Sequence, residues 1–228
     1  MVNYQYTYLI GVGIYFVIWL LLFIKRKDTR KEMLIISLLF GLIGPLVETI
    51  HIKDWWKPLT ITNTPIGIED FLFGFFIGGA ASVIYLHLFN KKIRKKDSKI
   101  NLKFNYSIPF LLATTLFFGS FFIFKLNTFI SSLIALIIPI LLIYYFRKDL
   151  IKNSIISGIL IWIVMIVGYT ILDLITPGFF EKFWYFENIG KIMFLKIPLE
   201  EHIWFFLAGA FIGPLYEYWQ EAKLVNAK

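Results

Sequence analysis

Two pairs of adjacent acidic residues each stand at the start of a long apolar run. Glu69-Asp70 begins "EDFLFGFFIGGA", and Glu200-Glu201 begins "EEHIWFFLAGAF". Adjacent carboxylates repel each other, and burial in apolar surroundings favours the protonated form of at least one of them. A protonated carboxyl group can donate a proton, and an ionised one can remove a proton. These residues therefore indicate acid–base chemistry at the mouths of two apolar helices.

The same acids also fit a purely structural role. A carboxylate in the first turn of a helix is stabilised by the helix dipole by about 0.3–1 kcal/mol, and Pro198 suits a helix start. For either pair alone, this capping role is the better interpretation. The two pairs occupy matched positions, however, and Glu48 and Asp173 lie near the ends of the preceding apolar runs. Acids gathered at membrane depth favour a functional role.

The composition is that of an integral membrane protein. Of the 228 residues, 58% are hydrophobic and 19% are aromatic, which is far from the composition of a soluble domain. A helix of about 20 apolar residues crosses a bilayer. Seven stretches approach this length, at residues 6–24, 33–49, 68–89, 106–124, 128–146, 154–175 and 199–218. We therefore expect an all-α fold with seven transmembrane helices.

Positive charge is concentrated on one side of these predicted helices. The formal net charge is +8, and most Lys and Arg residues lie in segments 25–31, 91–103, 147–152 and 223–228. By the positive-inside rule these segments are cytoplasmic, so that the N-terminus lies outside and the C-terminus inside. The run at 91–103 is interpreted as a topological anchor and not as a nucleic-acid site, because it lacks interleaved aromatic residues for base stacking.

The two halves of the chain resemble each other. Each acidic pair follows a long aromatic loop, at residues 50–67 and 176–198, and is followed by aromatic and then small residues. A copied three-helix unit keeps its direction only if a further helix separates the copies. We therefore expect two parallel three-helix repeats, helices 1–3 in segment 1–90 and helices 5–7 in segment 128–228. Segment 91–127 would hold the basic loop and the spacer helix.

The stretch "FWYFENIGKIMFLKIPLEEHIWFF", residues 183–206, resembles the hallmark of the membrane lycopene cyclase domain. In that family a Trp/Tyr-rich loop with an acid and a glycine leads into a Pro-x-Glu-Glu helix start followed by aromatic residues. The matching positions are Trp184, Tyr185, Glu187, Gly190, Pro198, Glu200, Glu201 and Phe205. A weaker copy supplies Trp55, Trp56, Pro65, Glu69 and Asp70. Over nearly its whole length the chain resembles the fused, tandem form of the family.

The resemblance implies redox-neutral cyclisation of an acyclic carotenoid end group. A protonated acid would add a proton to the terminal double bond, and a carboxylate would remove one after ring closure; no flavin, nicotinamide or metal is implied. The catalytic residues implied are Glu200, Glu201, Glu69 and Asp70. The expected substrate contacts are Trp204, Phe205, Trp184, Tyr185, Trp55, Trp56, Glu48 and His202. We expect Glu200 or Glu201 to donate the proton and His202 to reload it.

Other interpretations stay open. His51 and His202 lie close to acids, but no recognised metal-binding spacing is present, so a hydrogen-bonding or relay role is the better interpretation. Glu217, near the C-terminal end, is expected to be solvated. The function could instead be that of a proton- or cation-coupled transporter, or of a non-catalytic carotenoid- or lipid-binding protein. The expected partners are the lipid bilayer and a hydrophobic polyene or isoprenoid, with a homo-oligomer as an open alternative.

Overall fold

The structure is a computed structural model that describes residues 3–94 and 107–227. It is mostly helical, and each of the seven apolar stretches lies largely in a helix. The helices are α1 Thr7–Lys25, α2 Arg30–Asp54, α3 Ile68–Leu88, α4 Ile108–Phe122, α5 Thr128–Phe146, α6 Ile151–Ile175, α7 Phe179–Phe183, α8 Leu199–Ile212 and α9 Leu215–Trp219. Within these described ranges the short strands are β1 Lys91–Arg94, β2 Met193–Phe194, β3 Ile197–Pro198 and β4 Lys223–Asn226. The fold is therefore helical but not purely α.

Among the residues that the structure describes, five helical stretches are long and apolar enough to cross a membrane. They are Thr7–Lys25, Lys27–Asp54, Ile68–Leu88, Thr128–Phe146 and Lys148–Ile175. Helix α4 is a shorter apolar helix. The prediction of one continuous final helix over 199–218 is wrong, because α8 ends after 14 residues and α9 begins only after Pro214. Proline has no N–H to continue the helical hydrogen bonds.

Close helix packing places the acidic pairs. Helix α2 packs along α3, and α6 packs along α8. Both contacts need glycine: a Cβ at Gly74 on α3 would clash with the carbonyl oxygen of Phe40, and one at Gly209 on α8 would lie 2.8 Å from the carbonyl oxygen of Ser157. Small residues of this kind let helix backbones approach each other. The backbone contact fixes the depth of α3 and α8, and with them the acids in their first turns.

The basic segments meet at one end of the helix bundle. Arg26 donates to the carbonyl oxygens of Leu86 and Lys91, and Arg147 donates to those of Glu217 and Ala222. Each arginine also pairs with an aspartate two residues later, and these hydrogen bonds raise the pKa of Arg147. Strands β1 and β4 pair antiparallel beside them. The segment after α3 and the C-terminal segment therefore lie on the same face. Glu217 is fully buried, so the expectation that it is solvated is wrong.

The two aromatic loops meet at the other end. Trp56 and Trp184 form an antiparallel bridge. The Lys57 N–H donates to the Phe183 carbonyl at 2.7 Å, and the Tyr185 N–H donates to the Trp55 carbonyl at 2.9 Å. Strands β2 and β3 form a small hairpin that leads into α8. Backbone pairing thus joins the two aromatic loops to each other.

The orientation inferred from charge can be tested by labelling, because the chain contains no cysteine. Lys182 in the aromatic loops and Lys223 at the basic end are both exposed. In intact cells we expect a membrane-impermeant maleimide to label Lys182→Cys and to label Lys223→Cys only after permeabilisation. Labelling of Lys223→Cys in intact cells, with Lys182→Cys protected, would reverse the topology.

Candidate active site

A cavity of about 180 Å³ lies beneath the joined aromatic loops. Its walls come mainly from helices α2, α3, α4, α5 and α8, with one residue each from α1 and α6, and they are mainly apolar. Three carboxyl groups and one imidazole line it, from Glu48, His51, Asp70 and Glu201. All of these side chains except His51 are buried, and His51 is half-buried. Titratable groups that converge in an apolar cavity are typical of a binding or active site.

Glu201 is held by three hydrogen-bond donors from separate parts of the chain. The indole N–H groups of Trp55 and Trp184 donate to Oε1 at 2.7 and 2.9 Å, and the Tyr169 hydroxyl donates to Oε2 at 2.9 Å. Glu201 also lies in the first turn of α8, where the helix dipole favours negative charge. Hydrogen bonds to a carboxylate stabilise its ionised form. These donors and the helix dipole therefore favour the ionised form of Glu201, against the cost of burying its charge.

Asp70 has a similar but smaller set of donors. The Tyr8 hydroxyl donates to Oδ1 at 2.8 Å, and the Gly67 N–H donates to Oδ2 at 2.7 Å. The second contact is part of a capping box at the start of α3. Asp70 thus combines a capping role with a position on the cavity wall, which reconciles the two interpretations of this acid.

The first acid of each pair does not reach the cavity. Glu69 Oε1 accepts from the Ile61 N–H, and Glu200 Oε1 accepts from the Gly190 N–H, both at 2.6 Å. Each glutamate thus ties the aromatic loop before it to the helix that it begins. The structure separates the four acids expected to be catalytic into two on the cavity wall, Asp70 and Glu201, and two that hold loops.

Most of the expected aromatic contacts do line the cavity. They are Trp55, Trp56, Trp184, Trp204 and Phe205. Tyr185 does not line it. The rings pack on one another, with Trp56 centred 5.1 Å from Trp184 and 4.9 Å from Tyr8. Aromatic faces attract a cation by roughly 0.5–2 kcal/mol each. The aromatic lining therefore suits a positively charged intermediate.

His202 lies outside the cavity wall and has a structural role. The Trp162 indole donates to Nδ1 at 2.8 Å, so Nε2 carries the ring proton and donates to the Phe194 carbonyl at 2.9 Å. Both nitrogens are occupied, which holds the β2–β3 hairpin against α8 and α6. The expected role of His202 in reloading a proton is therefore not supported by its contacts. Among the described residues, no group of three His, Cys, Asp or Glu side chains is placed to hold a metal.

Sequence reasoning missed two tyrosines that hold the cavity acids. Tyr8 on α1 and Tyr169 on α6 are buried, line the cavity and donate to Asp70 and Glu201. A tyrosine hydroxyl within an apolar membrane helix needs a hydrogen-bond partner. The presence of Tyr8 and Tyr169 within apolar runs is therefore the signal that could have identified them. Their acceptors lie on other helices and could not be read from local spacing.

Residues 127–219 match the family model for lycopene cyclase. The match identifies this stretch as similar to the domain of that family. It includes α5, α6 and α8, and so contributes Tyr169, Trp184 and Glu201 to the cavity. Neither a curated protein nor a solved structure matches the chain. The resemblance seen in the sequence is thus confirmed for the second half, and carotenoid cyclisation is the activity that it suggests at the level of the family.

The structural role of His202 predicts a stability effect. His202→Phe leaves the Trp162 N–H without its buried acceptor, and we expect unfolding to become easier by about 1–3 kcal/mol. Trp162→Phe removes the same hydrogen bond from the other side. Because the two substitutions break one contact, the double variant should lose less stability than the sum of the single variants. Thermal unfolding in detergent measures all three; strict additivity would contradict the contact.

Proposed function

We propose that the protein cyclises an acyclic carotenoid end group in the membrane without net oxidation or reduction. The observation that carries this proposal is Glu201: it comes from the lycopene cyclase domain and places a carboxylate, held by three donors, in an apolar and aromatic cavity. The chemistry needs an acid, a carboxylate and cation-tolerant walls, and residues that suit each requirement line this cavity.

The proposed reaction adds one proton and removes one proton, and it needs no oxidant or reductant. A carboxylic acid adds its proton to the terminal trisubstituted double bond, whose electrons form the new C–H bond and leave a tertiary cation. A second double bond attacks this cation, closes the six-membered ring and moves the positive charge. A carboxylate then removes a neighbouring proton, and the C–H electrons become the ring double bond. Because three donors favour its ionised form, we assign Glu201 to this last step or to stabilising the cation, with Asp70 as a second negative group.

The tandem architecture belongs to the same proposal. Arg26 and Arg147 make matching contacts with carbonyl groups at the ends of the following helix pairs. The pairing of α2 with α3 resembles that of α6 with α8, and the paired strands β1 and β4 follow α3 and α9. These contacts support two parallel repeats in segments 1–90 and 128–228, related by an axis along the membrane normal. The basic run at 91–103 lies mostly outside the described residues.

Seven membrane crossings fit this arrangement. Helices α4 and α8 are short, with 15 and 14 residues, but apolar and aromatic residues flank both of them. Short spans are accommodated by local thinning of the bilayer or by flanking interfacial residues. With seven crossings the acids lie near the outer surface. The apolar wall of the cavity then leads from them towards the membrane interior, which suits a substrate dissolved in lipid.

Substitution of the two adjacent glutamates tests the catalytic assignment. In a host that accumulates lycopene, we expect the wild-type chain to convert it to a cyclic carotenoid. Glu201→Gln should lower conversion by roughly 100-fold or more, since the amide cannot act as the base and turns an N–H₂ group towards other donors. Glu200→Gln is the matched control, because its amide oxygen can still accept from Gly190.

The readout is chromatography of extracted pigments, normalised to folded protein in the membrane. Conversion by Glu200→Gln should stay within a few-fold of the wild type. An equal loss of conversion in both variants would show that Glu200 and Glu201 have only a structural role. Unchanged lycopene in cells that contain folded wild-type protein would contradict the proposed function.

A further inference from the structure

Glu48 differs from the other two acids of the cavity in its hydrogen bonding. It lies on α2, is only 5% exposed and lines the cavity. Its Oε1 has no hydrogen-bond partner among the described residues. Its Oε2 receives a single long contact of 3.3 Å from the Trp56 indole. Asp70 and Glu201 together have five donors, whereas Glu48 has this one.

The different numbers of donors favour a neutral Glu48 and ionised Asp70 and Glu201. Burying an ionised carboxylate with few donors costs several kcal/mol more than burying the neutral acid. Asp70 and Glu201 stand in the first turns of α3 and α8, where the helix dipole favours negative charge, whereas Glu48 lies within α2 and does not have this stabilisation. The neutral form of Glu48 also turns the unpartnered oxygen into a free O–H donor. A buried acid with an unused O–H is what protonation of an alkene requires.

His51 stands beside this acid. Its Nδ1 lies 3.5 Å from Glu48 Oε2, one helical turn away on α2, and its Nε2 has no hydrogen-bond partner among the described residues. The ring packs edge-on against Phe117 and Trp204, with centroids 5.7 and 6.3 Å away. It lines the same cavity. The imidazole is therefore held next to Glu48 with one nitrogen available for a proton.

From these contacts we infer that Glu48 is the proton donor and that His51 returns the proton to it; this rests on the proposed function. The proton leaves Glu48 Oε1 and forms the new C–H bond of the substrate, which leaves Glu48 as a carboxylate. After ring closure, Glu201 takes one proton from the carbon next to the cation. The cycle closes when that proton moves to Glu48, with His51 as its carrier. No electron acceptor or further reactant is consumed.

The matched test uses two buried glutamates of the same helix. Glu48→Gln preserves shape and polarity but cannot donate a proton, and we expect turnover of lycopene to fall by about 100-fold or more. Glu32→Gln is the control: Glu32 is 2% exposed and lies near the start of α2, but it does not line the cavity. Its turnover should match the wild type. Lycopene retained by each purified protein reports whether binding is preserved.

The outcomes separate the two levels of the proposal. If the wild type forms cyclic product and Glu48→Gln does so at an equal rate, Glu48 is not the donor, although the proposed function stands. If the wild type forms no product, the proposed function itself fails. Should Glu48→Gln not accumulate, Glu48→Asp decides: withdrawal of the carboxyl group should slow turnover by about tenfold with binding intact, and unchanged turnover would overturn the assignment.

The role of His51 in returning the proton to Glu48 is tested separately. His51→Phe keeps the aromatic packing and removes both nitrogens. We expect kcat to fall by about tenfold while KM stays within about twofold, because proton return is slowed and binding is not. A rise in KM with unchanged kcat would show that His51 only shapes the cavity and would remove it from the proton path.

Discussion

The structure depends on keeping carboxyl groups inside an apolar helical protein. A buried carboxylate costs several kcal/mol unless donors surround it. Glu201 meets this cost with Trp55, Tyr169 and Trp184, which come from the loop after α2, from α6 and from the loop before α8. The same contacts that satisfy one acid therefore hold the two halves of the chain together. The backbone pairing of the aromatic loops and the close helix contacts at glycine help to bring these donors to one point.

The two acids of each pair have different positions and contacts. The first acid accepts a backbone N–H from the preceding loop, as Glu69 does from Ile61 and Glu200 from Gly190. The second acid turns inward and lines the cavity. Adjacent residues on a helix point about 100° apart, so one pair can fix the loop and still supply the site. The first acid of each pair thus holds the loop and the second lines the cavity, and Asp70 in addition caps α3.

The sequence predicted the helical membrane fold because apolar stretches of bilayer length can be counted directly. It failed where the outcome depended on contacts between distant segments. The break after α8 depends on Gly213 and Pro214, which a hydropathy window does not detect, and the burial of Glu217 depends on Asn153 of α6, which donates to it at 3.0 Å. For the site, the motif singled out Glu200 and Glu201, and the structure places Glu201 on the cavity wall. Three features of the site depend on tertiary packing, which spacing along the chain cannot show. They are the different contacts of Glu200 and Glu201, the hydrogen bonds from Tyr8 and Tyr169, and the hydrogen bond from Trp162 to His202.

The central claim is that protons alone drive a reaction inside this cavity. The most direct measurement is mass spectrometry of the pigment after lycopene is incubated, without oxygen or added cofactors, with vesicles that contain the protein. The account predicts a cyclic product of unchanged mass in H₂O, and in D₂O no more than one deuterium added for each ring closed. Recovery of unchanged lycopene, or a product whose mass shows loss of hydrogen or addition of water, would contradict it.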